Sequence, residues 1–340
     1  FVHSEISLME KRVCVTGASG YIAANLIEQL IKGGYKVHGT VRSLENKQKI
    51  EPLSKLSSTE LTLFEADLLK PFSFDKAFEG CSVVFHTASP FQLQANDPVK
   101  ELVEPALQGT LNVLESVKKA KISRVILTSS VAAIVGETKI SDDKVYSEED
   151  WNLESKPTNA VAGYRYSKRV AEEAAWKFAK ENDIDLTTIN PSFVLGPSLS
   201  NRTDSTSIKT VIGLLAGFFK NGAGPSCYGC VDVRDVALAH VRALECSGTK
   251  GKRYMITSEN CFNQVDLSEI IRDILTENLS EHASLISNLP TSFTSEPKWK
   301  TTFNISRVRD DLNIEPMPIR NSLLDMIKFI IDAGLLPQSQ

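Results

Sequence analysis

A tyrosine and a lysine stand four residues apart, Tyr164 and Lys168, in the strongly helical stretch 163–182. This spacing places the phenol and the ammonium on one face of a helix, one turn apart. An ordinary tyrosine titrates near about 10, but a neighbouring lysine cation favours the phenolate, so the phenol can exchange its proton at neutral pH. The pair predicts general acid catalysis toward a carbonyl oxygen that is being reduced.

A serine pair precedes this helix, at the end of the predicted strand 124–130. The hydroxyl of Ser130 can hold the same carbonyl oxygen and stabilise the charge that develops there as hydride arrives. We therefore predict a catalytic set of Ser130, Tyr164 and Lys168.

A glycine loop in "CVTGASGYIAANLIEQL", residues 14 to 30, lies between an apolar strand and a helix. Gly17 can adopt a backbone conformation closed to other residues, and Gly20 lets the chain approach a ligand closely. The amide groups at the helix start carry partial positive charge, which suits a pyrophosphate. The predicted dinucleotide-binding residues of this loop are Gly17, Ser19, Gly20, Tyr21 and Ile22. An ordinary tight turn at a strand-helix corner is the alternative.

The second predicted strand, 36–42, follows at the distance that a βαβ unit requires. An acidic residue at its end would bond a ribose 2′-hydroxyl, whereas an arginine accommodates a 2′-phosphate. Arg42 stands at this place and Lys49 follows it. The sequence therefore predicts NADP(H) as cofactor, with a solvated basic turn as the alternative.

Strands and helices alternate over the first 190 residues, which predicts an α/β fold with a doubly wound parallel (Rossmann) sheet. The further predicted strands are 61–68, 82–89, 124–130 and 186–192. Ligands bind beyond the carboxyl ends of such strands. This rule places Asp67 and Leu68 near the adenine, and Thr87, Ala88 and Ser89 along the ribose and phosphate path; helix capping is the alternative for both groups.

The composition fits an enzyme of this kind, because 340 residues with 42% hydrophobic side chains can bury a sizeable core in about two domains. The net charge of -4 gives no basic surface for nucleic acid. No apolar run is long enough to span a bilayer and no signal peptide is evident. We expect a cytoplasmic protein with a small-molecule substrate, and we leave residues 1–8, before Met9, out of the fold argument.

Six cysteines in a chain of this length do not predict a dense disulfide framework. Cys227 and Cys230 form a CxxC pair, but a structural zinc site needs four ligands and no second such pair follows. The sequence predicts no metal, and it favours two incidental thiols over a redox pair at these positions.

The sequence resembles the extended short-chain dehydrogenases/reductases, in the branch of dihydroflavonol, anthocyanidin and cinnamoyl-CoA reductases and fungal aldehyde or ketone reductases. The motifs that carry the resemblance include "VTGASGYIA", "VFHTASP", "ILTSSVAA", "YRYSK" and "INPSFVLGP". The resemblance implies the triad named above, with Ser129 as the weaker serine candidate. It also implies that Lys168 bonds the nicotinamide ribose and that Pro191, Ser192 and Val194 flank the nicotinamide.

Three further residues have a role only through the resemblance. Asn112 matches a position that some short-chain reductases use for a proton-relay water, and local helix bonds are the equal alternative. Asp235 and His240 are expected to be structural.

The predicted division of the chain gives an NADP(H)-binding domain at 9–196, to which 230–257 return, and a smaller C-terminal substrate-binding region at 197–229 and 258–340. In the second region an apolar stretch, 213–219, and Tyr228 suggest a hydrophobic or aromatic substrate. A core helix followed by a loop explains Leu214, Leu215, Phe218 and Phe219 equally well.

Two departures bear on the substrate. Dihydroflavonol reductases carry an asparagine five residues after the catalytic serine, where this chain has Val135, and the "NWYCYAK" of cinnamoyl-CoA reductases is "AGYRYSK" here. Both favour anthocyanidin reduction or a broader aldehyde and ketone reductase over those two activities. A non-catalytic NADP(H)-sensing protein is the alternative from another class, and the intact Ser, Tyr and Lys set argues against it.

Overall fold

The computed structural model describes residues 11–57, 59–90, 94–136, 144–200, 205–295 and 301–337. Their strands are β1 (Arg12–Val15), β2 (Lys36–Val41), β3 (Leu61–Glu65), β4 (Val83–His86), β5 (Arg124–Thr128), β6 (Val145–Tyr146), β7 (Asp185–Pro191), β8 (Phe193–Leu195), β9 (Cys227–Tyr228), β10 (Cys230–Asp232), β11 (Arg253–Ile256), β12 (Phe262–Asn263) and β13 (Thr302–Phe303). The α-helices are α1 (Tyr21–Lys32), α2 (Lys47–Ser54), α3 (Asp75–Phe78), α4 (Glu104–Lys119), α5 (Ala160–Glu181), α6 (Thr206–Leu215), α7 (Val233–Glu245), α8 (Gln264–Glu277), α9 (Ser306–Leu312) and α10 (Ile319–Asp332).

Seven parallel strands form the main sheet in the order β11-β7-β5-β4-β1-β2-β3. The chain order reverses between β1 and β4, and the crevice beyond the carboxyl ends of these two strands is where ligands bind in open α/β sheets. The predicted doubly wound sheet is confirmed. Its seventh strand, β11, lies in the segment 230–257 that was expected to return to the sheet.

Alternate side chains of the strands face opposite layers of helices, as the two-residue period of a strand requires. Val13 and Val15 of β1 pack in the cluster that holds the apolar faces of α1 and α7. Cys14, between them, packs in the cluster of α3, α4 and α5. Both faces of the sheet are therefore covered, which explains why the strands read as nearly continuous apolar runs.

The helices α6, α8 and α10 pack together in a separate apolar cluster beside β8 and β10. Leu214 and Leu215 are fully buried there, whereas Phe218 is 73% exposed. The packing supports the core-helix alternative for the two leucines, and the role of this stretch in a substrate site stays a prediction. Val308 and Leu312 of α9 pack instead in the cluster on the sheet. The boundaries of the two predicted regions stay a prediction.

The structure corrects the interpretation of the cysteines. Cys227 forms a disulfide with Cys261, 34 residues further along the chain. The two cysteines meet because β9 and β12 pair antiparallel, with Cys227 opposite Asn263. Cys230 is a fully buried thiol, and burial raises its pKa. Cys227 is therefore not an incidental thiol, and its partner is not Cys230.

Within the described ranges, no helix is both long enough and apolar enough to cross a membrane.

Candidate active site

The turn between β1 and α1 has the backbone that a dinucleotide loop needs. Gly17 has a φ of 70°, and a Cβ atom there would lie 3.0 Å from the Cα of Ala88. Only glycine fits both the left-handed conformation and this close approach. Gly20 is the N-cap of α1 and offers no side-chain cap to the first amides of this 12-residue helix. Those amides are the groups that would receive a pyrophosphate.

The loop is held to the neighbouring strands by a pair of threonines that sequence reasoning missed. The Gly17 amide donates to the Thr40 hydroxyl over 3.1 Å, and the Ala18 amide donates to the Thr40 carbonyl over 2.7 Å. The Ala88 amide donates to the Thr16 hydroxyl over 3.0 Å. The signal was a threonine directly after β1 and another inside β2, which no motif identifies as part of a loop.

The other two loop residues, Tyr21 and Ile22, begin α1. The Tyr21 hydroxyl donates to the Gly196 carbonyl over 2.5 Å, which ties the loop to the end of β8. Burial raises the pKa of this phenol, so it stays protonated. Ile22 packs against the core of the sheet. Ser19 lies between the two glycines in the same turn.

Arg42 directly follows β2 and is exposed. It makes no hydrogen bond or ion pair with the residues that the structure describes, so its guanidinium is available to a ligand. Lys49 lies in the first turn of α2, which Asn46 caps by accepting from the Lys49 amide. Arg42 thus stands at the end of β2, where the 2′-phosphate of NADP(H) is expected, and Lys49 follows seven residues later on α2.

Asp67 and Leu68 follow β3, as predicted for an adenine contact. The Asp67 carboxylate accepts from the Leu69 amide at 2.9 Å, so part of its role is to cap this turn. The Leu68 carbonyl accepts from the Asn112 side chain at 2.7 Å. Since the Asn112 oxygen also accepts from Gln108 at 2.8 Å, both ends of this amide are used in local bonds. The local alternative for Asn112 is the one that these contacts support.

Thr87, Ala88 and Ser89 follow β4 and interlock with the end of β1. The Thr87 hydroxyl donates to the Thr16 carbonyl. This contact explains why β4 ends at His86, three residues before the predicted end of the strand. Ser89 lies farther out and accepts a hydrogen bond from the Lys168 ammonium at 3.0 Å.

The predicted acid and its lysine lie together on α5, which Asn159 caps by accepting from the Ala162 amide. The Lys168 ammonium is 5.7 Å from the centroid of the Tyr164 ring. Burial and then the Lys168 ammonium lower the pKa of His86 to about 3, so His86 is neutral and does not compete as a cation.

The two serines of the pair, Ser129 and Ser130, have different surroundings. Ser129 is buried and its hydroxyl donates to Glu172 over 2.5 Å, so it points into the protein. Ser130 is half-buried at the start of the 3₁₀ turn Val131–Ala133, where its hydroxyl accepts from the Ala132 amide at 3.1 Å. Ser129 is therefore committed to a buried carboxylate, and the role of Ser130 toward a substrate oxygen stays a prediction.

Pro191 ends β7, and Val194 lies in β8, the next strand. Between them the hydroxyl of Ser192 is buried and has no hydrogen-bond partner among the described residues. An orphaned hydroxyl at the expected nicotinamide position fits a ligand that brings its own polar group. Together with the glycine turn and Arg42, it shows that the residues present fit NADP(H).

Asp235 and His240 take the structural places that were expected. The His240 nitrogens lie 2.7 Å from the Val236 carbonyl and 2.7 Å from the Thr128 hydroxyl, and burial lowers the pKa of this imidazole to about 4. Asp235 accepts from the Met317 amide at 2.7 Å.

A doubly wound sheet with this loop and this Ser, Tyr and Lys arrangement defines the class of nicotinamide-dependent dehydrogenases and reductases. The chain belongs to the NAD dependent epimerase/dehydratase family, which matches residues 13–257. It is 38% identical over 323 residues to a cinnamoyl-CoA reductase of Medicago truncatula, which covers 93% of this chain and 94% of that protein. It is 38% identical over 264 residues to an anthocyanidin reductase of Arabidopsis thaliana, which covers 74% and 76% of the two chains.

Among solved structures, the chain is similar to yeast methylglyoxal/isovaleraldehyde reductase Gre2 complexed with NADPH. The TM-score is 0.80 at 29% identity, and the match covers 95% of this chain and 99% of that one. These findings confirm the predicted family branch, the oxidoreductase class and NADP(H) as cofactor.

Proposed function

We propose that this protein uses NADPH to reduce the carbonyl group of a hydrophobic or aromatic aldehyde or ketone, including flavonoid-like substrates. One observation carries the proposal: the Lys168 ammonium is bonded to Ser89 beside the nucleotide crevice and lies against the Tyr164 ring on the same helix face. The proposed acid, Tyr164, and the expected cofactor position would therefore lie close together.

The bound cofactor would supply a hydride to the carbonyl carbon. The Tyr164 hydroxyl would give its proton to the carbonyl oxygen, so that one hydride on the carbon and one proton on the oxygen convert the carbonyl into an alcohol. The Lys168 cation would stabilise the phenolate that remains. The Ser130 hydroxyl would hold the substrate oxygen while negative charge develops on it. Each role follows from the side chain's place on α5 or at the end of β5.

The proposed division of labour follows the predicted regions. Residues 9–196 and 230–257 would hold the cofactor, and 197–229 and 258–340 would shape the substrate site. Within these regions, residues 9, 10, 58, 91–93, 137–143, 201–204, 296–300 and 338–340 lie outside the described residues. The stacked rings of Phe193 and Tyr228, 5.2 Å apart, support an aromatic substrate because they join β8, beside the nicotinamide position, to the second region. This chain is 38% identical to the cinnamoyl-CoA reductase and 38% identical to the anthocyanidin reductase, so identity alone does not choose between the two activities.

Tyr164→Phe tests the mechanism. The variant keeps the ring and loses the proton donor, so turnover should fall by orders of magnitude while NADPH still binds. Tyr166→Phe is the matched control, since Tyr166 lies two residues away on the same helix and its ring contacts Arg169 instead. Steady-state NADPH oxidation and fluorescence titration of NADPH give the two readouts. Turnover of folded Tyr164→Phe within about threefold of wild type would mean that Tyr164 is not the acid.

A carbonyl panel tests the substrate class. It contains an anthocyanidin, a dihydroflavonol, a hydroxycinnamoyl thioester, an aryl aldehyde and an aliphatic ketone. We expect the aryl and bicyclic substrates to have higher kcat/KM than small polar ones. Tight NADPH binding without turnover of any of them would favour the cofactor-sensing alternative.

A further inference from the structure

Glu172 is a buried carboxylate at the place where α5 crosses the ends of β5 and β7. It is 1% exposed, and its two oxygens accept hydrogen bonds from several side chains. The donors are Ser129 Oγ at 2.5 Å, Asn190 Nδ2 at 2.8 Å, Arg253 Nε at 2.6 Å, Trp176 Nε1 at 3.1 Å and Thr188 Oγ1 at 3.4 Å. A buried charge with this many donors and a cationic partner is fully compensated, although replacing such a pair by apolar groups often costs no stability.

The position of Glu172 on α5 connects it to the predicted acid. It lies four residues after Lys168 and eight after Tyr164, so the three side chains share one face of the helix. Lys168, Glu172 and Ser129 also line the same cavity of about 20 Å³. The Glu172 carboxylate therefore borders the site that Tyr164 and Lys168 form.

The contacts of Glu172 reach the chain on both sides of the Ser130 Cα, through Ser129 and through the Ser130 carbonyl. Ser129, the preceding residue, is fixed by its own bond to the carboxylate. Asn190 donates to the carboxylate and also to the Ser130 carbonyl, at 3.2 Å. Ser129 thus fixes the backbone of Ser130 on its N-terminal side, and Asn190 fixes it at its own carbonyl. Glu172 orients both of these side chains.

The ion pair extends this support to the turn after Ser130. Arg253 donates to the carbonyls of Glu148 and Asp150, both at 2.7 Å. Two residues further on, Asn152 donates from its backbone to the Ala133 carbonyl and from its side chain to the Ala132 carbonyl, both at 2.9 Å. The 3₁₀ turn that Ser130 begins is therefore enclosed by a segment anchored on the partner of Glu172.

We propose that Glu172 is the positioning residue of Ser130: it sets the direction of the serine hydroxyl relative to Tyr164 and Lys168. This inference rests on the role proposed for Ser130 in carbonyl reduction. Glu172 touches neither substrate nor cofactor, and it acts through Ser129, Asn190 and the Arg253 segment.

Glu172→Gln tests the inference at nearly constant volume. In one orientation the amide NH₂ group faces Ser129 and Asn190, and in the other it faces Arg253, Trp176 and Thr188, so one side of the network loses its acceptor in either case. We expect kcat to fall on the order of 10-fold to 100-fold, while the Kd for NADPH from fluorescence titration stays within about twofold. Glu172→Asp keeps the charge and should recover part of kcat; it also carries the test if the Gln variant does not fold.

Asp185→Asn is the matched control. It breaks the ion pair of Asp185 with Arg124, which joins the same two strands, β5 and β7, at their opposite ends. This change should lower stability and leave kcat unchanged. Equal losses of kcat in the control and in Glu172→Gln would show that general destabilisation is the cause and would overturn the proposal.

The double variant Ser130→Ala/Glu172→Gln separates the two proposals. If Glu172 acts through Ser130, the double variant should have the kcat of Ser130→Ala within about twofold. If the double variant instead lost kcat by the product of the two single losses, the positioning role would be overturned and the proposed function would stand. Wild-type turnover in Ser130→Ala itself would overturn the role of Ser130, and the positioning role with it.

Discussion

Lys168 donates a hydrogen bond to Ser89 over 3.0 Å and thereby joins the helix of the predicted acid to the carboxyl end of β4. The two residues are 79 positions apart in the chain. Because β4 lies beside β1 at the point where the strand order reverses, this one bond connects the chemistry on α5 to the nucleotide crevice.

Ser89→Ala should weaken that connection. A hydrogen bond to a charged group contributes about 1.5 to 3 kcal/mol when buried and less where water reaches it. We expect kcat/KM to fall about threefold to tenfold. Ser82→Ala at the other end of β4, where the hydroxyl donates to the Arg12 carbonyl, should leave kcat/KM unchanged. Equal kcat/KM for wild type and Ser89→Ala would show that Ser89 does not help to place the ammonium.

Arg42→Asp should alter cofactor choice. A guanidinium binds a phosphate bidentately, whereas a carboxylate in its place repels one. We expect the Kd for NADPH to rise far more than the Kd for NADH, measured by fluorescence titration of both. Lys328→Asp makes the same change of charge on the exposed side of α10 and controls for net charge. An equal loss for the two cofactors in Arg42→Asp would refute a 2′-phosphate contact.

The disulfide between Cys227 and Cys261 closes a loop with a sequence separation of 34. By the chain-entropy relation, a cross-link of this span stabilises the fold by at most about 4 kcal/mol. Cys261→Ser should lower the free energy of unfolding and remove its dependence on reductant, whereas Cys246→Ser should preserve that dependence. Thiol titration of the denatured chain should count four thiols before reduction and six after it. Six thiols in the unreduced protein would contradict the bond.

Features that depend on local periodicity could be predicted from the sequence. The spacing of Tyr164 and Lys168 fixes their common face once the segment is helical. The left-handed φ of Gly17 follows from the demand of a strand-to-helix turn. The parallel order of the sheet follows from alternating elements.

Features that depend on distant partners could not be predicted. The pairing of Cys227 with Cys261 requires β9 to pair with β12, and no local sequence pattern predicts that strand pairing. Leu214 has the same apolar character in a core helix as in a substrate wall, and only packing against α8 and α10 decides. Glu172 reads as one more charge on a polar helix, because most of its donors come from β7, β11 and the residue after β5.

Val135→Asn tests how the substrate is selected. Val135 is 9% exposed and packs in an apolar cluster with Tyr146 and Phe303. An asparagine there would bury an amide whose unmet hydrogen bonds cost about 1 to 3 kcal/mol. A site with a buried polar group also rejects substrates that cannot bond it, whereas an apolar wall discriminates much less.

We therefore expect Val135→Asn to lower both the free energy of unfolding and the kcat/KM for apolar ketones. Val145→Asn is the control, since Val145 is 52% exposed and an amide there stays hydrated. With valine in place, the wild-type enzyme should accept a range of hydrophobic aldehydes and ketones in the carbonyl panel. Turnover confined to a single flavonoid would contradict this relaxed selectivity. It would mean that polar groups elsewhere in the site select the substrate, since Val135 has none.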